Sequence, residues 1–414
     1  MLSTLQLVCL LAFALYLLYY YTCVVRKPWV ICSSASMRTF LHVNCGPLVE
    51  EPFWPPIWCI GSNIQCLVSL VVQNFLPLLP LRRQVLTLSD GGTVALDWIN
   101  EDYPPPVVLF LTGLSSGSQV YYMRTLVPLV AQMRCPCVVV AAVRQRFPDG
   151  AVLAVGYSMG GMLLSHYLLQ TGDASQIDAG LSISAPFHLR TSYDNLMSWS
   201  TSFFINLYLA NCLMSLIRRN VHVMSASGVI DVDWLLRCRT LYDFDNRYTA
   251  PVFGFQNAME FYSSASLNGK LSTVRRPLLY LLAADDAFGS PKTLPAAEIE
   301  RSPWLTAVVT PRGGHLGFVD GWLWPRMPFY SERFAAAYVS GLLALARGPL
   351  GAKALRSLVD KSVDALSPIL LAGEKLTGTY YITPLLENQE DAAAERPTRE
   401  NKRNQDILRA LVTA

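Results

Sequence analysis

Apolar positions along this 414-residue chain follow three patterns. The first is an unbroken run at residues 5–25 (LQLVCLLAFALYLLYYYTCVV), 21 positions without a charge. As a helix it is long enough to cross about 30 Å of hydrocarbon. Arg26 and Lys27 close the run, and Tyr19, Tyr20 and Tyr21 sit near that end, where amphipathic rings favour a membrane interface. It lacks the preceding basic residue and the small-x-small cleavage site of a removed signal peptide, so it reads as a retained anchor. The second pattern is a series of short apolar runs without alternation, at residues 107–111, 138–142, 151–155, 181–184, 278–282 and 306–309. Helical segments follow these runs, as expected of a mostly parallel sheet buried on both faces beneath helices. The third is strand-like, with residues 84–88 and 93–98 joined by Ser89-Asp90-Gly91-Gly92 as a hairpin.

These patterns divide the chain into an anchor (1–27), a Pro- and Trp-rich juxtamembrane segment (28–83), an α/β domain (84–348) and a C-terminal tail (349–414). Residues 187–270 form a long apolar insertion between the fourth and fifth runs, suited to a helical cap. The tail turns charged, ending in NQEDAAAERPTRENKRNQD, and reads as partly disordered with a short terminal helix.

Composition narrows the class. Apolar residues make up 52% of the chain and charged residues 15%, below the roughly 25% of a soluble globular domain. A net charge of +3 without a basic stripe argues against a nucleic-acid partner. Ten cysteines are scattered along the chain and make no small disulfide framework, and the spacing of Cys135-Pro-Cys137 suits no metal. Positive charge after the span favours a cytosolic domain, and the chain contains no Asn-x-Ser/Thr sequon.

The chemistry starts at Gly156-Tyr157-Ser158-Met159-Gly160-Gly161, between an apolar strand and the helical run MLLSHYLL. That is the strand–turn–helix context of a nucleophile elbow, where Gly156 and Gly160 leave room for a sharp bend presenting Ser158. A serine hydroxyl needs a base. Among the five histidines, His315 lies in PRGGHLG just after TAVVT, while His42, His166, His188 and His222 are less well placed. The acid belongs at the end of an intervening strand. LLYLLAADDAFGSP offers Asp285 and Asp286, of which Asp286 has the better spacing to Phe288 and Pro291. For the developing oxyanion, the Met159 amide and the Leu114 amide in Thr112-Gly113-Leu114-Ser115-Ser116-Gly117 are the candidate donors.

Beyond these residues, DGGTVALDW, LFLTGLSSGS, GYSMGGMLLSHYL, FDNRYTAPVFGF, EFYSSASLNGKL, AADDAF and RGGHLGF resemble the membrane-anchored α/β-hydrolase-domain lipases. That family includes the mammalian α/β-hydrolase-domain proteins one and three and the yeast medium-chain ester synthases. The likeness extends from the anchor to about residue 345. It implies an α/β-hydrolase fold with Ser158, Asp286 and His315 matching the family triad. It also implies esterase or phospholipase action on medium- or short-acyl lipids at an intracellular membrane such as the endoplasmic reticulum, with acyl transfer to alcohols as a variant and no cofactor or metal. Family members are usually described with the catalytic part beyond the membrane, opposite to the charge reading, so the side stays open. One departure stands out. Only Val143 to Gly150 separates Ala142 from the elbow strand, where the family has an Asn-Arg-Gly loop and a helix. A crossover between neighbouring parallel strands needs about a dozen residues. The expectation is therefore a lost strand or a damaged sheet, and with it the alternative of a hydrolase relic that binds lipid without turnover.

Overall fold

A computed structural model describes residues 3–87, 93–135, 137–138, 150–198, 201–226, 230–289 and 293–359. Among these, nine strands form a seven-stranded sheet and a separate hairpin. The hairpin pairs β2 (Arg82–Thr87) with β3 (Thr93–Trp98), while the turn expected between them lies outside the described residues. The large sheet contains β1 (Trp29–Cys32), β4 (Val107–Leu111), β5 (Cys137–Val138), β6 (Val152–Tyr157), β7 (Ala179–Ile183), β8 (Leu278–Ala283) and β9 (Leu305–Thr310), in the order β1-β9-β8-β7-β6-β4-β5. Its strands run parallel except β1, which is antiparallel to β9.

Alternate side chains of each central strand enter opposite cores. Val108 and Phe110 of β4 and Leu153 and Val155 of β6 join a cluster with Phe40, Leu126, Phe334 and Tyr338. Those partners belong to α2 (Ala35–Glu50), α4 (Tyr121–Ala131) and the helix Tyr330–Arg347. Val107, Leu109, Val152 and Ala154 face the other way, onto Leu164 and Leu168 of the helix Met159–Thr171. With both faces covered, a strand is apolar at every position, which is why these strands show no alternation.

Three expectations need amending. Residues 28–83 carry β1, α2 and α3 (Ser62–Val72) and help build the core. A four-residue strand that adds antiparallel to an edge has little local signature, because its pairing comes entirely from β9. Residues 352–359, expected in the tail, fold back as short helical turns with Leu355 and Leu358 buried in the core; residues 360–414 lie outside the described residues. The strand expected at 138–142 is described only as Cys137–Val138, and residues 139–149, with most of the shortened crossover, lie outside the described residues. What is described changes the premise of the crossover argument. β5 and β6 are not neighbours, since β4 stands between them and pairs with both.

Between β7 and β8 the insertion is helical. It includes Leu189–Met197, Thr201–Arg219, Val232–Leu235 and Ala258–Ala265, with small apolar clusters of its own around Leu213, Ile217 and Phe244 and around Phe255 and Phe261.

Candidate active site

β6 ends at Tyr157, and the helix after it starts at Met159, so Ser158 must turn the chain in one residue. It does so at φ 52° and ψ −117°, a conformation that costs on the order of 1–3 kcal/mol and persists only where its surroundings enforce it. The enforcement is close packing. A Cβ at Gly156 would lie 2.5 Å from the Gly160 carbonyl oxygen, and one at Gly160 would lie 2.3 Å from that of Leu111. Helix and strand can approach this closely only because both positions lack a side chain. The Ser158 amide donates to the Ile183 carbonyl at 2.8 Å, tying the bend to β7.

The Ser158 Oγ lies 2.8 Å from His315 Nε2. On the far side of the ring, Nδ1 lies 3.1 Å and 3.0 Å from the two carboxylate oxygens of Asp286. Asp286 is buried, and its Oδ1 also accepts the Phe288 amide at 2.8 Å. The Phe288 ring stacks obliquely on the imidazole, centroid to centroid 4.2 Å. A hydroxyl, an imidazole and a carboxylate thus stand in line, able to pass a proton from oxygen to ring nitrogen while the carboxylate holds the other nitrogen protonated.

The adjacent aspartate does something else. Asp285 Oδ1 accepts the Gly314 amide at 2.8 Å, one residue before the imidazole, and Arg312 lies 4.0 Å from its other oxygen. Burial pushes the Asp285 carboxyl up to about 6, against the opposing pull of the Gly314 amide and Arg312. Spacing to Phe288 and Pro291 favours Asp286 as the acid, but nothing local in the sequence points to the Asp285 bond with the Gly314 amide.

A second support was missed altogether. α3 packs against the histidine loop so tightly that a Cβ at Gly314 would sit 2.4 Å from the Ser62 carbonyl. Cys66 Sγ donates to the His315 carbonyl at 3.2 Å, its thiol pushed up to about 12 by burial and so kept neutral. The fully buried Gln65 accepts the Val319 amide at 3.0 Å. A glutamine inside the apolar run NIQCLVSLVV was the available signal.

Neither the Met159 nor the Leu114 amide has an acceptor among the described residues. Gly113, beside Leu114, donates to the Tyr122 hydroxyl at 3.0 Å, and a Cβ there would touch the Ser158 Cβ at 3.4 Å, so the loop after β4 runs alongside the nucleophile. The Leu114 side chain packs on the cap cluster of Leu213, Ile217 and Phe244. The cap also holds the acid loop: Asn195 donates to the Ala287 carbonyl at 3.1 Å, and Ser192 donates to that of Phe288. The other histidines lie elsewhere. His166 is 2.8 Å from the Ala265 carbonyl, His188 caps a cap helix, and His42 contacts Glu50.

Comparison with known proteins agrees with this fold. The family described as alpha/beta hydrolase fold matches residues 136–321. Phospholipase ABHD3 of Bos taurus is 28% identical over 364 residues, covering 79% of this chain and 87% of its own length. The chain is similar to the α/β-hydrolase-domain lipases. It is a serine hydrolase. Monoacylglycerol lipase of Saccharomyces cerevisiae is 28% identical over 254 residues, covering 53% of this chain and 56% of its own. Among solved structures, mouse alpha/beta hydrolase domain-containing protein 10 aligns over 64% of this chain and 98% of its own, with 12% identity and a TM-score of 0.40.

Proposed function

We propose that this protein hydrolyses lipid esters, with Ser158 as nucleophile, His315 as general base and acid, and Asp286 as the residue that orients the imidazole. The observation that carries this reading is the 2.8 Å approach of Ser158 Oγ to His315 Nε2, with Nδ1 held by Asp286. In the first step Oγ attacks the acyl carbonyl as its proton passes to Nε2. The tetrahedral oxyanion is met by the Met159 and Leu114 amides, each worth about 3 kcal/mol in sites of this kind. Nε2 then protonates the departing alcohol. Water, deprotonated by the same nitrogen, releases the acid from the acyl-enzyme. Asp286 stabilises the imidazolium in both halves without taking the proton.

The likeness to a phospholipase and a monoacylglycerol lipase supports a lipid substrate, and the apolar cap packed on Leu114 supports an acyl-binding site above the nucleophile. The same reading makes the helix Thr4–Val24 a membrane anchor. It is long and apolar enough to cross a bilayer, and only 11% of its most apolar stretch is buried, unlike a core helix.

The test is Ser158→Ala in the full chain, assayed on phosphatidylcholine vesicles with medium-length acyl chains. Turnover should fall by about four orders of magnitude or more, and a fluorophosphonate probe should lose its labelling. Full turnover in the variant would refute the assignment.

A further inference from the structure

Two loops far apart in sequence meet beside the apolar helix. Residues 53–59 and 320–327 are joined by three hydrogen bonds: the Ile57 amide to the Trp322 carbonyl at 3.1 Å, Trp58 Nε1 to the Leu323 carbonyl at 2.6 Å, and the Gly321 amide to the Trp54 carbonyl at 2.7 Å. Each loop turns tryptophans outward. Trp54 is 39% exposed, Trp58 46%, Trp322 61% and Trp324 80%, so four of the chain's nine tryptophans share one surface, with Leu323 among them at 45%. Such a cluster is not left over from folding, since large apolar patches on soluble surfaces are rare and mark an interaction site.

Its surroundings say what covers it. Tyr20 of the apolar helix donates to the Pro55 carbonyl at 2.6 Å, Tyr16 donates to that of Ile57, and the Tyr21 ring lies edge-on to Trp54 at 6.1 Å. The tryptophan loops are therefore held level with the last two turns of the helix, at its tyrosine-rich end. Exposed cations rim the same surface: Arg26 and Lys27, with the Arg26 carbonyl bonded to the Phe53 amide, and Arg326 in the second loop. Aromatic rings with one apolar and one polar end, flanked by cations, suit the head-group region of a bilayer, where ring and charge each find their solvent. The second loop is also rigid at its root, because Asp320 takes a two-pronged contact from Arg333 at 3.1 Å and 2.6 Å.

We propose that this paired-loop surface lies in the interfacial layer of a phospholipid bilayer and seats the catalytic domain against it. The proposal rests on the anchor reading above. The loop that carries Trp322 and Trp324 continues directly from the histidine loop, whose residue Val319 is bonded to Gln65, so the seat and the base share one rigid piece of chain.

The test uses the full chain in phosphatidylcholine vesicles brominated either near the head-group end or near the methyl end of the acyl chain. The apolar helix contains no tryptophan, so it contributes no signal of its own. The native chain should be quenched more by the shallow bromines, and Trp322→Phe with Trp324→Phe should lose a large part of that quenching. Quenching left unchanged by the double substitution, or stronger with deep bromines, would overturn the proposal. Ser158→Ala should quench like the native chain. If instead that variant kept full hydrolysis, the catalytic assignment would fail while the quenching result still judged the surface.

Discussion

The two edges of the main sheet are built differently. At one, β1 adds four residues to β9, which is paired over six residues with β8. From the ends of β8 and β9 come Asp285, Asp286 and His315, and α3 is wedged against the histidine loop by Gln65 and Cys66. At the other, β5 offers two described residues to β4. The elbow lies between these extremes, and its immediate neighbours are β4 and β7, each paired with β6 over five residues. The β5 edge therefore lies beyond β4, with no described pairing to the elbow strand itself. A change in an outer strand is tolerated more readily than one beside the site, since an edge strand loses pairing on one side only.

Proline substitutions should break this comparison most directly. Val308, in the centre of β9, pairs with Val30 on one side and Leu281 on the other. Val308→Pro should cost about 3 kcal/mol or more and leave little folded protein, as judged by thermal melting. Next in size, Asp285→Ala should free the Gly314 amide and let the imidazole drift. A kcat loss of about tenfold to a hundredfold with little change in KM is expected, and Asp285→Asn should restore most of it by keeping the acceptor. A survey of both variants that found equal loss would assign Asp285 a charge role instead.

Glu332 tests the ground between the edges. It is fully buried, with one oxygen accepting from Ser331, and its charge would be felt at Tyr157 just before the nucleophile. Burial pushes its carboxyl up to about 7. An acid raised by folding contributes fully below its unfolded value and loses that contribution as pH climbs through the folded one. The native chain should thus weaken between about pH 4.5 and 8 relative to Glu332→Gln, by on the order of 3 kcal/mol at the alkaline end, and melting curves across that range would measure it. Asp285, raised to about 6, acts in the same direction. The smallest effect is expected at the β5 edge: Val138→Pro should change turnover by less than about threefold, because among the described residues β4 alone lies beside it. A loss as large as that at Val308 would mean the β5 edge supports the site as directly as an interior strand.

Much of this was legible along the chain, for local reasons. The central strands announce themselves because burial on both faces demands apolar residues at every position. The bend at Ser158 is readable because a one-residue turn between strand and helix tolerates few residues at Gly156 and Gly160. Other features had no local signature. β1 is four residues whose pairing is supplied by a strand some 280 positions later. The Gln65 and Cys66 contacts depend on where α3 docks.

By itself, then, the sequence determined the apolar helix, the parallel layers and the strand–bend–helix around Ser158, because each follows from periodicity or sterics within about twenty residues. The tertiary structure decided that the neighbouring Asp285 holds the histidine loop, since that contact depends on where β9 and its following loop pack. It also decided that tryptophans more than 260 residues apart share one surface, because only long-range hydrogen bonds such as that from Trp58 to Leu323 bring them together.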